Sequence, residues 1–406
     1  EMGVIMADRR TLRRTAQRYR RATKKQKAGI LDEFVATHEC TRNHASWLLR
    51  SWGKTVFSHQ GGQLVRIVVG QRRARRTVPR VYDQQVYEAL EKIWYLYGGM
   101  CGKRLIGVLR HQLPLLEKFG EITVDDTVRE KLQRISAATI DRLLQAEKRK
   151  LQVRGRSHTK PTTRLLHKVP IRTFAEWEDA TVGEMGADLV GHDGGVGGGE
   201  HAFTLVLTDR VTQWTEPRAV LNKAQKWVFQ ALLQVRSWLP FALLGLHTDC
   251  GGEFINDHLV RYCKQEKIDF SRSRANRKND NCFTEQKNNA VVREHVGYLR
   301  LETEQEVELL NQIYDRLRLL VNFFYPSQRL IAKTRQGARV RRRYDMPQTP
   351  YQRVLACPQV SEQAKQHLRR QFDSLNPAAL QREILRLQQK LLRMVVDRVT
   401  PTERAG

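Results

Sequence analysis

Cysteine is sparse and unpaired along the chain. There are six (Cys40, Cys101, Cys250, Cys263, Cys282 and Cys357) with no Cys-x-x-Cys pair. That argues against a zinc finger or a disulfide framework and favours a reducing, cytosolic setting. Long apolar runs are missing too. No stretch approaches the roughly 20 apolar residues that span a bilayer, so no membrane partner is expected. The apolar run Met2–Ala7 is short and leads straight into basic residues, so no signal-peptide core is expected either. Acidic residues are the third scarcity: 43 Asp and Glu stand against 71 Lys and Arg, a formal charge of +28. What is present suffices for packed cores. The 406 residues are 40% hydrophobic, which excludes wholesale disorder, and the length suits about two to four domains. A basic chain of this kind meets a polyanion, and nucleic acid is the first candidate.

The excess charge is unevenly spread. Residues 1–80 hold 19 Lys/Arg and 5 Asp/Glu, whereas residues 181–300 hold 15 and 14. Basic flanks around a nearly neutral middle are expected if binding modules surround a core with another task. The densest runs are Arg9 to Lys27, Arg72 to Arg76 and Arg335 to Arg343. With so few acidic neighbours, phosphate contact is a better reading of these runs than a solvated surface.

Residues 1–70 read as a helical module. Ala28, Ile30, Leu31, Phe34 and Val35 form one apolar face. After a break near Glu39–Cys40, a second helix opens at Thr41 with Ala45, Leu48, Leu49 and Trp52 inward. Two short helices across a tight turn, with Arg42, Asn43, His44 and Arg50 on the second, suit a helix-turn-helix. A plain three-helix bundle is the alternative. A basic linker from Gln71 to Arg80 leads to a second helical module, residues 81–150, covering Tyr82–Tyr97, Lys103–Gln112 and Thr127–Ile135, in which Val128–Ile135 and Ser136–Ala146 again suit a helix-turn-helix. Ser136 is placed as the N-cap of its last helix, which carries Ile140, Leu143 and Leu144. Residues 151–174, opening with Arg154-Gly155-Arg156, read as an extended linker.

From Ala187 the periodicity changes. Ala187–His192, Ala202–Val211 and Trp214–Val220 read as strands, followed by a helix (Lys223–Leu239, capped by Asn222) and the buried apolar run Phe241–Thr248. A helix (Glu253–Glu266), a short strand (Ile268–Arg272), a polar loop and a long helix (Phe283–Tyr298) complete an α/β core, residues 175–325: a mixed sheet flanked by helices. The glycines at 194–199 match neither a dinucleotide loop nor a Walker loop, and a mobile hairpin turn fits them better. Residues 326–406 read as a basic segment and a helical tail. Its apolar positions Leu380, Ile384, Leu387, Leu391 and Met394 suit either a short coiled-coil seam or packing on the protein's own core.

Three carboxylates stand out. Asp188 lies within the first strand of the core. Asp249 ends the apolar run, in His247-Thr248-Asp249-Cys250-Gly251-Gly252-Glu253-Phe254, and 35 residues separate it from Glu285, in the first turn of the long helix. An aspartate ending an apolar strand loses hydration unless it meets a cation. Carboxylates converging at one sheet edge are what hard divalent ions require, and two such ions suit in-line phosphoryl transfer. Asp193 is a rival for the first position.

These residues carry a resemblance. The strand order is similar to the ribonuclease-H-like core. Asp188, Asp249 and Glu285 resemble the DD(35)E pattern of retroviral integrases and insertion-sequence transposases, above all transposases with helix-turn-helix modules ahead of an integrase-like core. Thr248-Asp249-x-Gly251-x-Glu253-Phe254 resembles the segment around the family's second Asp. Ser273-Arg274, Asp280-Asn281 and Glu285-Gln286-Lys287-Asn288 resemble that around its Glu. The likeness covers about residues 185–300. It extends faintly to Cys101-Gly102-Lys103-Arg104-Leu105 upstream and Thr349-Pro350-Tyr351-Gln352 downstream. The family often has a basic residue seven positions after its Glu; here Val292 stands there and Arg293 follows. His38, Cys40 and His44 do not reproduce the zinc module of retroviral integrases.

The resemblance implies two Mg²⁺ or Mn²⁺ ions held by Asp188, Asp249 and Glu285. It also implies hydrolysis at element ends and transfer of the freed 3′-OH into target DNA, with at least two copies in a synaptic complex. The setting implied is cytoplasmic, nucleoid-associated and bacterial. Arg42, Asn43, Arg50, Arg142, Lys287 and Arg293 are the expected DNA contacts. A transposase-derived regulator without chemistry and a ribonuclease-H-like nuclease are the alternatives. The intact acidic triad disfavours the first, and the two added helical modules disfavour the second.

Overall fold

The computed structural model describes residues 9–60, 63–69, 81–150, 180–195, 198–249, 254–273, 286–337 and 339–399. They fall into two compact units, Glu1–Arg80 and Val81–Gly406.

The first unit opens with helices α1 (Arg9–Arg21), α2 (Lys24–His38) and α3 (Arg42–Ser51). Thr23 and Gln26 form a capping box at the start of α2, which ends where Glu39 turns to a φ of 48°. Thr41 then caps α3 by accepting from the His44 amide at 3.3 Å. Leu12, Ala16 and Tyr19 of α1 close a small core with Ile30, Leu31, Phe34, Ala45 and Leu49. The expectation of an all-α module needs correction, because an antiparallel pair follows, β1 (Thr55–Gln60) with β2 (Gln63–Val68). The β-branched residues of Gln63–Val68 and the intervening Gly61-Gly62 are hairpin signals that the helical reading passed over.

The second unit begins with six helices: α4 (Gln84–Leu96), α5 (Gly102–His111), α6 (Leu113–Lys118), α7 (Asp126–Arg134), α8 (Ala137–Leu143) and α9 (Gln145–Lys150). Asp83, Asp125 and Ser136 cap α4, α7 and α8 through their side chains. Gly102 shows why glycine opens α5. Its amide donates to Asp141 at 2.8 Å, and a Cβ there would stand 2.4 Å from the Ala137 carbonyl oxygen. The Cys101–Leu105 segment therefore has a packing role.

A five-stranded mixed sheet follows. The strands are β3 (Glu184–Gly191), β4 (Phe203–Asp209), β5 (Thr215–Val220), β6 (Gly245–Thr248) and β7 (Asp269–Arg272), in the order β5-β4-β3-β6-β7. The first three form an antiparallel meander; β6 and β7 join parallel to β3. Hairpins come first and crossovers after, as the hydrophobic pattern implies. Helices α10 (Gln225–Trp238) and α11 (Asp257–Gln265) cover one side, burying Met185, Ala187, Leu205, Leu207 and Leu246. Strand β6 is shorter than the apolar run Phe241–Thr248 implies. Pairing begins only where Leu244 and Gly245 donate to the Gly183 carbonyl.

The opposite side carries α12 (Glu304–Leu319) and a π-helical turn, Leu320–Phe324. A two-stranded ribbon, β8 (Leu330–Gln336) and β9 (Arg339–Tyr344), comes next. Three helices end the chain: α13 (Pro350–Ala356), α14 (Glu362–Ser374) and α15 (Pro377–Val399). Leu380, Ile384, Leu387 and Leu391 of α15 enter one core with Leu310, Ile313 and Leu317 of α12 and with Leu90, Trp94 and Leu109 of the helical block. The tail's apolar seam thus packs on its own unit. Among the described residues, no helix is long and apolar enough to cross a membrane.

Candidate active site

Asp188 sits on β3 opposite Val206 of β4. The parallel register of β3 with β6 pairs Gly186 with His247. Continued two residues along both strands, that register would set Asp188 across from Asp249, the residue after β6. In-register residues of parallel neighbours point to the same face, with strands roughly 4.8 Å apart. Both side chains are half-buried. The sheet reverses its connection order between β3 and β6, and the carboxyl ends of strands at such a point are a recurrent ligand site in open α/β sheets.

A helical segment crosses this face: a π-helical turn, Asn288–Arg293, running into Glu294–Val296 and stopped at Gly297, φ 68°. Val292 is wholly buried against Val190 and Val206, the neighbours of Asp188 on its own face. That contact seats the segment over β3 and β4. Asn288, one turn earlier, donates from Nδ2 to Asp188 Oδ2 at 2.6 Å, while its buried Oδ1 has no partner among the described residues. Glu285 lies outside the described residues, three positions before Asn288.

The π turn bears on the position seven after Glu285. An i→i+5 turn takes one residue more than an α turn, and here it turns Val292 inward onto Val190 and Val206. Arg293 is tied to the backbone, donating to the Gly191 carbonyl at 2.9 Å and the Gly297 carbonyl at 3.2 Å. Its guanidinium lies 4.6 Å from the Tyr298 ring centre, and burial lowers its pKa. It fastens the helical segment to the end of β3. Burial, with Arg104 and Arg353 nearby, brings the Lys287 ammonium down to about 7.

Two histidines that the sequence did not single out brace the pair. His247, two residues before Asp249, is buried between Ser271 and Ser273 of the β7 segment, 3.0 Å from each hydroxyl. The period-two serines facing it are the signal that could have found this clamp. His192 lies 2.8 Å from the Thr204 hydroxyl, which is 2.8 Å from Tyr314 of α12. Burial pushes His192 down to about 3, so its ring is neutral. Asp193 belongs to the turn after β3: its carboxylate accepts from the Gly195 amide at 3.1 Å, and its backbone bridges to Arg300.

Of the remaining expected DNA contacts, three belong to the first unit and one to the second. In the first unit, Arg42 pairs with Asp32, Asn43 is exposed, and Arg50 donates to the Ser46 carbonyl at 3.3 Å. Arg142 of the second unit is exposed and donates to Thr139 at 3.0 Å.

Two neighbouring carboxylates fit a hard divalent cation, since Mg²⁺ is commonly held by one or two carboxylates plus substrate phosphate. Among the described residues, no group of three or more His, Cys, Asp or Glu side chains is placed to hold a metal ion. The Asp188–Asp249 pair is the described part of the expected donor set.

No protein-family model matches the chain. It is 37% identical over 342 residues to the uncharacterized protein y4rM of Sinorhizobium fredii (strain NBRC 101917 / NGR234), covering 84% of this chain and 93% of that protein. Among solved structures, the HTLV-2 integrase catalytic core domain in complex with magnesium (dimeric form) matches 35% of this chain and 88% of its own at 13% identity, TM-score 0.27. The BIV integrase catalytic core domain matches 41% and 90% at 15% identity, TM-score 0.28.

Proposed function

This chain belongs to the same family as y4rM of Sinorhizobium fredii, and for it we propose the activity of a DNA transposase. It hydrolyses a phosphodiester at the ends of a DNA element and joins the freed 3′-OH to target DNA. The observation that supports this most is the β3–β6 register, which brings Asp188 and Asp249 together on the face crossed by the Asn288 segment. Glu285 completes the set in this reading. A bound divalent cation pair would activate the attacking oxygen and stabilise the leaving one.

The chain's own residues set the geometry. Asn288 orients Asp188 through its amide hydrogen bond to Oδ2. His247 locks β6 to β7 immediately before Asp249. Val292 and Arg293 hold the helical segment against the sheet, fixing the approach of the residues before it. The basic first unit supplies DNA affinity, and a synaptic complex of at least two copies joins two ends.

The test is a strand-transfer assay with the intact chain and DNA cut from the borders of the element that carries its gene. Joined products that need Mg²⁺ or Mn²⁺ and vanish with chelator are expected. Binding without any cleavage would favour a regulator, and cleavage without joining a nuclease. Robust joining in excess chelator would overturn the metal-dependent reading.

A further inference from the structure

Among the described residues, the ribbon β8–β9 has no third strand. Residues 330–344 contain Lys333, Arg335, Arg339, Arg341, Arg342 and Arg343 and no Asp or Glu. Thr334, Arg335, Gln336 and Arg341 to Arg343 are exposed. Among the described residues, no carboxylate pairs with Arg335, Arg341, Arg342 or Arg343; Arg335 donates only to the Gly337 carbonyl, at 3.1 Å. An isolated two-stranded hairpin is marginal in water. The ribbon's strands pair in antiparallel register from Leu330↔Tyr344 to Gln336↔Arg339. The ribbon therefore concentrates repulsive charge on an element that adds little to the core.

Its root is firmly held. Asp345 accepts from the Arg329 amide at 2.6 Å and from Arg353 at 2.7 Å. Arg353 also donates to the Ser327 carbonyl at 2.9 Å, and Arg329 to that of Val211 at 2.8 Å. The first acid after the basic run is thus engaged in fixing the base. The root also adjoins the candidate site. Arg104 donates to the Pro326 carbonyl at 2.7 Å, and the ring of Tyr325, the residue before Pro326, stacks at 6.5 Å on His295 of the helical segment that crosses the site.

We infer that the β8–β9 ribbon is an arm that grips duplex DNA by its phosphates beside the site formed by Asp188 and Asp249. The inference rests on the DNA-directed reading above and names a binding surface within it. A two-stranded ribbon fits the B-form major groove, about 12 Å wide; the narrow major groove of A-form RNA does not admit one. Arginine guanidinium groups pair with phosphate through two parallel hydrogen bonds. Side chains on one face of a strand repeat every two residues, about 6.8 Å, which matches two phosphate steps of one DNA strand along the helix axis.

The test measures binding of the intact chain to a fluorescent duplex of arbitrary sequence, in chelator, across a salt series. Replacing Arg341, Arg342 and Arg343 together by Gln should weaken binding about tenfold or more. It should also reduce the slope of log affinity against log salt by about 3, one for each phosphate no longer neutralised. The same three positions changed to Lys should keep the slope, which separates removal of charge from disruption of the fold. Arg342→Gln alone should lower the slope by about 1. Unchanged affinity and slope in the triple Gln variant would overturn the arm while leaving the transposase reading standing. Absence of duplex binding by the intact chain would overturn both. Equal competition by duplex RNA or anionic lipid vesicles at the ribbon would overturn the choice of DNA.

Discussion

Asp209 and Glu216 lie on the same meander as Asp188, yet their surroundings differ from those of the Asp188–Asp249 pair. Asp209 is fully buried and accepts from the Gly183 amide at 2.8 Å and from both the amide and the hydroxyl of Thr212 at 2.6 Å. Glu216, also fully buried, is paired with Arg318 and accepts from the Trp214 indole at 2.7 Å. Burial raises the pKa of both, and their donors oppose it. Asp188, by contrast, is half-buried and meets a neutral amide, that of Asn288. It stands beside Asp249 at the carboxyl end of β6. Donors that match each lone pair mark carboxylates that hold a turn or a helix. Two half-buried carboxylates at the ends of neighbouring parallel strands are the pair proposed to receive a cation.

Substitution should separate the two groups most sharply in chemistry. Asp188→Asn, Asp249→Asn and Glu285→Gln should each cut strand transfer by orders of magnitude, with DNA binding and melting temperature retained. Asp193→Asn, in the turn, should be mild in the same assay. A dead Asp193→Asn beside an active Asp188→Asn would move the first ligand.

Stability should show the opposite ranking. Arg318→Met leaves Glu216 buried without its cation and should cost about 3–5 kcal/mol in chemical denaturation. The protein that stays folded should retain its activity. A loss below about 1 kcal/mol would show that the pair is not structural.

The smallest effect concerns His192. Its pKa in the fold, about 3, lies below the ordinary 6.5, so between these values the unfolded chain binds more protons. Stability should then rise with pH across that window, by up to about 1.4 kcal/mol per unit from this one group. His192→Gln should lose that share of the slope when unfolding is followed from pH 6.5 to 4.5. An unchanged slope would place the ring in contact with water.

Much of this arrangement was legible beforehand, because it rests on local patterns. Alternation and apolar runs located β3, β4 and β5. Ser136 and Thr41 marked their helix starts. The position of Asp249 after an apolar run singled it out from other acids. What stayed hidden depends on packing at long range. Val292 packs on Val190 and Val206 by way of a π turn, and no spacing rule contains that turn. The roles of His247 and Asn288 come from strand register and helix placement, which join residues 24 and 100 positions apart. The Arg335–Arg343 run was visible as charge, but its hairpin shape was masked by a residue pattern too basic to read as strand.

The most direct test of the central claim, that Asp188 and Asp249 together hold a divalent cation, needs no DNA. Mn²⁺ binding to the intact chain, followed by electron paramagnetic resonance, should show a site that Asp188→Asn and Asp249→Asn each weaken strongly. Asp209→Asn, altering a structural carboxylate of the same sheet, should leave that site unchanged in the folded fraction. Equal Mn²⁺ binding by the wild type and both site variants would contradict the account.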